Sequence, residues 1–93
     1  MQNFDNAKMD IKCNWDIEDS IWLSKEIFKI IKDGSVYEAK FKARHGSLLL
    51  VITLLGVAYP IAKDLLNKIT KHKEERKLPP ITIIINKIEK FSL

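Results

Sequence analysis

From Gly46 to Ala62 the chain runs for 17 residues without a charge, Gly-Ser-Leu-Leu-Leu-Val-Ile-Thr-Leu-Leu-Gly-Val-Ala-Tyr-Pro-Ile-Ala, between charged flanks. An ordinary surface helix carries one apolar stripe and one polar face, whereas this run is apolar nearly all round. Read as a helix, it needs cover on every side. That cover is its own domain together with other copies of the chain, a lipid bilayer, or a different protein. A bilayer span needs about 20 apolar residues and runs of about 10–14 indicate a buried helix, so the length falls between the two. Lys and Arg lie on both sides and give no orientation signal. A crossing here would also put the strand-like segments on either side of it into different compartments, although strands need a common sheet. A buried helix that doubles as a homo-oligomer contact is therefore the leading reading. A membrane span and a partner-docking face are the alternatives.

Ninety-three residues make a single small domain. Its 46% hydrophobic and 30% charged residues are ordinary for a globular protein. One cysteine, Cys13, leaves no internal disulfide and suits a reducing compartment. The first residues lack a basic stretch followed by an apolar one, so no secretory signal is read there. A cytoplasmic protein is expected, with an inner-membrane-associated one as the alternative.

Met9, Ile11, Cys13 and Trp15 alternate with polar residues, the period of a half-buried strand. Residues 1–8 lack the pattern and read as a loose leader to a domain spanning 9–93. Asp16 or Asp19 caps a helix whose apolar positions are Ile17, Ile21, Leu23, Ile27, Phe28, Ile30 and Ile31. Gly34, after Asp33, ends that helix in a left-handed cap. Val36 to Ala43 alternates again, with Tyr37, Ala39, Phe41 and Ala43 one way and Glu38, Lys40, Lys42 and, beyond them, Arg44 the other. A second helix is predicted from Ser47 to about Lys77, kinked or split at Pro60. After Pro79-Pro80, Ile81–Ile85 and Ile88–Leu93 read as strands around a turn at Asn86-Lys87. The fold class is α+β, a small β-α-β-α-β(β) sandwich with both helices on one face of a short sheet.

Charge is uneven. Residues 1–33 hold five Lys against seven acids, and residues 34–93 hold eleven Lys and Arg against five. Two basic groups are candidates for phosphate contacts: Lys40, Lys42 and Arg44 on the second strand, and Lys71, Lys73, Arg76 and Lys77 on the distal helix. Glu38, Glu74 and Glu75 dilute their field, so solvated faces are the leading reading and a basic nucleic-acid-binding module is a second alternative function. Catalytic signals are few. Cys13, His45 and His72 are scattered one per segment without metal-ligand spacing, and no phosphate-binding glycine loop occurs. Cys13 reads as a core residue, and Trp15 and Trp22 as packing. No cofactor, metal site or enzymatic activity is expected.

The element order, the Ile21-Trp22-Leu23 segment, Gly46 ahead of the long apolar segment, and the terminal Ile-Thr-Ile-Ile-Ile and Phe-Ser-Leu segments together resemble the bacterial effector-associated constant component family. The resemblance spans about residues 9–93 and carries over no functional residue. It implies a non-catalytic adaptor in bacterial or phage conflict systems, defensive or anti-defensive. The functional expectation is an interaction module that binds itself, and a larger protein, through Leu48, Leu49, Val51, Ile52, Leu54, Leu55, Val57, Ala58, Tyr59 and Ile61. The same residues would meet lipid if the segment were a membrane helix.

Overall fold

A computed structural model describes residues 6–43, 49–86 and 89–93. The elements run β1 (Asn6–Cys13), α1 (Ile17–Lys32), β2 (Glu38–Ala43), β3 (Leu50–Ala58), α2 (Tyr59–Arg76), β4 (Thr82–Ile85) and β5 (Glu89–Ser92). The strands pair antiparallel in one sheet, in the order β2-β3-β1-β4-β5. Two β-α-β units therefore interlock: β1-α1-β2 encloses β3, and β3-α2-β4 encloses β1. This is the split β-α-β arrangement of ferredoxin-like folds with one added strand. The fold is α+β, as the sequence predicts.

The alternation in β1 sets the layers. Ala7, Met9, Ile11 and Cys13 are buried, while Lys8, Asp10 and Lys12 face the other way. On either side Ile52 and Leu54 of β3 and Ile83 and Ile85 of β4 add to the same buried face. Leu23 and Ile27 of α1, and Ala62, Leu65, Leu66 and Ile69 of α2, close the core from above. Among the described residues the opposite face of the sheet carries no helix.

The uncharged run is not a helix. Residues 50–58 form β3, an inner strand of the sheet, and the helix begins only at Tyr59. Two features hid the strand. Its outer face carries Val51, Thr53 and Leu55, so apolar residues occur on both sides, as they do in strands buried on both faces. A bulge also breaks the period of two: Ala7 faces Val57 and Met9 faces Leu54, so Leu55 and Gly56 together oppose Lys8. The bulge turns both Leu54 and Val57 into the core at a spacing of three, which imitates a helix. Pro60 starts α2 rather than kinking it, because a proline in the first turn forfeits no intrahelical bond.

Other expectations need smaller corrections. Asn6 to Lys8, read as leader, are part of β1; residues 1–5 lie outside the described residues. β1 stops at Cys13, and Trp15 is buried just beyond it, its indole N–H donating to the Pro79 carbonyl at 2.9 Å. Ile17, Ile21 and Phe28 point away from the core. Asp16 caps α1 by accepting from the Asp19 backbone N–H at 3.2 Å. Gly34 follows the helix at φ 76°, and Ser35 N–H closes back on the Ile30 carbonyl. Asn86 ends β4 at φ 56° and holds β1 twice: its side-chain oxygen accepts from Lys8 N–H, and its own N–H donates to the Lys8 carbonyl. Lys87 lies outside the described residues.

Gly56 gives a sharp test. At φ 72°, a Cβ there would come within 2.6 Å of the Tyr37 Cβ, whereas a Cβ on Gly34 would meet nothing within 4 Å. Gly56→Ala is expected to cost about 2–4 kcal/mol, from left-handed strain plus overpacking. Gly34→Ala should cost only the strain, about 1–2 kcal/mol. Urea midpoints compare them, and equal losses would show that the bulge has room for a side chain.

Candidate functional site

The densest polar cluster joins the start of α1 to the end of α2. Asp19, in the first turn of α1, is buried at 2% exposure. His72 Nε2 lies 2.9 Å from its Oδ1, and Arg76 Nε donates to the same oxygen at 2.5 Å. Arg76 also reaches Glu18 at 3.7 Å. The two helix dipoles suit this arrangement, with acids at the N-terminus of one helix and cations at the C-terminus of the other. The His72 ring stacks on Trp22 with centroids 3.7 Å apart and planes 3° from parallel. Trp15 tilts against the His72 ring with centroids 5.6 Å apart.

Burial pushes the Asp19 carboxyl up, but the hydrogen bonds from His72 and Arg76 outweigh it and hold the group below its ordinary 3.8. The hydrogen bond and charge of Asp19 raise Arg76 in turn. Beside the cluster lies a groove of about 320 Å³ lined by Trp22, Glu26, Lys68, Lys71, His72 and Glu75. Its two acids and two lysines balance, so it selects no charged class of ligand. Asp19 and His72 make an acid–imidazole pair at 2.9 Å. The cluster acts as a clamp between helices, and Lys68, which reaches Glu26 at 3.9 Å and Asp64 at 3.4 Å, extends it along the seam.

The residues singled out in the sequence fall into three groups. Ile52, Leu54 and Val57 are fully buried and unavailable for contact with another molecule. Leu49, Val51, Leu55, Ala58, Tyr59 and Ile61 are half-buried on different sides of the molecule, and Leu48 lies outside the described residues. They form no single surface. Nor do the two basic groups: Lys40 and Lys42 are exposed on the open side of the sheet, whereas Lys71, Lys73, Arg76 and Lys77 belong to the helix layer. Arg44 and His45 lie outside the described residues. Among the described residues no helix is long and apolar enough to cross a membrane, and no group of three His, Cys, Asp or Glu is placed to hold a metal. Cys13 is fully buried, and burial pushes its thiol up.

An apolar surface on α1 was not anticipated. Ile17, Ile21 and Phe28 are 70%, 48% and 55% exposed. At 100° per residue they fall within about 40° of one another, about 120° round the helix from the buried Leu23 and Ile27. Phe28 packs on Phe41 of β2, with ring centroids 5.3 Å apart, and Phe41 is itself 38% exposed. The signal was present in the sequence: α1 has more apolar positions than one core-facing stripe can use. Comparison with protein-family models, curated proteins and solved structures finds no match.

The clamp predicts a pH dependence. Asp19 has a lower pKa folded than unfolded, so it stabilises the fold above about pH 4 and loses that contribution as pH falls through the folded value. Asp19→Asn should therefore unfold at lower urea than the parent near pH 5, with the gap narrowing toward about pH 2. A gap constant across that range would remove Asp19 from the acid response.

Proposed function

We propose that this chain is a non-enzymatic binding module that associates with a second copy of itself through the surface formed by Ile17, Ile21, Phe28 and Phe41. The observation that supports this reading is that Phe28, on the same helical stripe as the exposed Ile17 and Ile21, packs on Phe41, an exposed aromatic of the edge strand. Single exposed apolar residues need no explanation, whereas a contiguous apolar surface marks an interaction site. A second copy is the natural occupant, because an apolar patch is complementary to itself across a two-fold axis. Lys25, Lys29 and Lys32 of α1 would form a polar rim. This surface replaces residues 48–61 as the contact, since that segment supplies the inner strand of the sheet. The family resemblance adds a setting, a companion of a larger effector in a conflict system, in which the dimer would present two equivalent docking positions.

Light scattering after size exclusion tests the reading. The parent chain should run as a dimer at micromolar concentration and dissociate on dilution. The double variant Ile21→Glu, Phe28→Glu should be a monomer with unchanged circular dichroism, because both positions are exposed. A monomeric parent at every concentration, or a folded double variant that stays dimeric, would overturn the assignment.

A further inference from the structure

The sheet face without helices carries most of the chain's net charge. Alternation places Lys8, Asp10 and Lys12 of β1, Glu38, Lys40 and Lys42 of β2, and Lys90 of β5 on it. That is five lysines against two acids. The two helices and their caps hold nine basic residues against eight acidic ones, so the helix layer is nearly neutral. The fold thus sorts a modest overall +4 into one basic face and one balanced face.

The arrangement of that face is specific. β3 lies between β2 and β1, and the register aligns Lys42, Val51 and Lys12 in one row and Lys40, Thr53 and Asp10 in the next. Lys40 and Lys42 form one rail, ending in Glu38 on the row of Leu55, and Lys12 and Lys8 the other, with Asp10 between them. The rails stand two inter-strand spacings apart, about 9.6 Å, and Lys40 and Lys42 are two residues apart along their strand, about 6.8 Å. Between them the floor is Val51, Thr53 and Leu55, half-buried beneath the longer lysine side chains. Thr53 donates its hydroxyl proton to Asp10 at 3.0 Å, which engages the acid that interrupts the rail.

We infer that this face binds a single-stranded nucleic acid through its phosphates, with the strand lying along β3 between the two lysine rails. Cations on both sides of a shallow trough suit a chain of regularly spaced anions. The aliphatic floor offers an apolar surface to unpaired bases, which a duplex keeps stacked inside. A bilayer fits poorly, because the apolar residues are recessed below the lysines rather than protruding to insert. A second copy fits worse, because two faces of the same sign repel. No aromatic side chain stands on this face among the described residues, so binding rests on phosphate contacts and carries little base preference. The inference does not depend on the α1–β2 surface, which lies on the helix side of the sheet.

The test is fluorescence anisotropy of a labelled oligothymidylate titrated with the full chain at several salt concentrations. Four lysines on four phosphates predict a log–log salt slope of about −3 for a single strand. Affinity should then fall about 60-fold between about 50 and 200 mM salt. The variant Lys12→Gln, Lys40→Gln, Lys42→Gln should lower the low-salt affinity and reduce the slope to about −1. A control variant in the helix layer, Lys71→Gln with Lys73→Gln, should bind as the parent does, which separates the sheet face from general basicity. Circular dichroism checks that both variants are folded. Absence of binding at low salt, an unchanged slope in the triple variant, an equal loss in the control, or tighter association with phosphatidylserine vesicles than with the oligonucleotide would each overturn the inference.

Discussion

The structure depends on one constraint: β1 must bury a single face while pairing along both of its edges. Ala7, Met9, Ile11 and Cys13 fill the centre of the core, and each neighbouring strand has to match that register or turn its own apolar set outward. The bulge at Leu55 and Gly56 is the adjustment that keeps β3 in step after Leu54, bringing Val57 back to the buried side. Where Ile81 and Leu93 exchange backbone hydrogen bonds, the same sheet ties off the far end of the chain.

The helices are held to each other by a different kind of force. Along the seam between α1 and α2 run polar pairs: Asp19 with His72 and Arg76, and Glu26 with Lys68. A buried carboxylate is costly unless compensated, and here the hydrogen bonds from His72 and Arg76 supply the compensation. The stacked ring of Trp22 covers the imidazole and limits access of water to the pair. At the other end of α2, Lys63 lies over the rings of Tyr59 and Phe91 and fastens the helix to the edge strand β5.

Much of this was legible in the residues, and the failures have definite causes. Strict alternation gave β1 and β2, and the Asp16 cap and Gly34 gave the limits of α1 to within a residue or two. Asn86 marked the turn after β4. The middle of the chain misled because periodicity cannot separate a strand that is apolar on both faces from a buried helix. There, the length of the run pointed to a helix, whereas β-branching at Val51, Ile52, Thr53 and Val57 favoured a strand and Pro60 marked a helix start. The functional surfaces were hidden for another reason. Lys12 and Lys42 are neighbours across β3, and Asp19 and His72 meet only when the helices pair. Neither relation is local, so scanning along the chain grouped the lysines by sequence, as 40–44 and 71–77, and divided what the fold unites.

The central position of β1 has a consequence for how the protein is made. β1 precedes both of its partners: Ile11 waits for Ile52 on one side and Ile83 on the other. As the chain leaves the ribosome, β1 therefore carries an apolar face and two open edges until α2 and β4 have followed. Long-range strand pairing is slow because loop closure precedes any gain from contact. The core is completed only once β4 has emerged, and until then the nascent β1 is a free strand with hydrogen-bonding capacity on both sides.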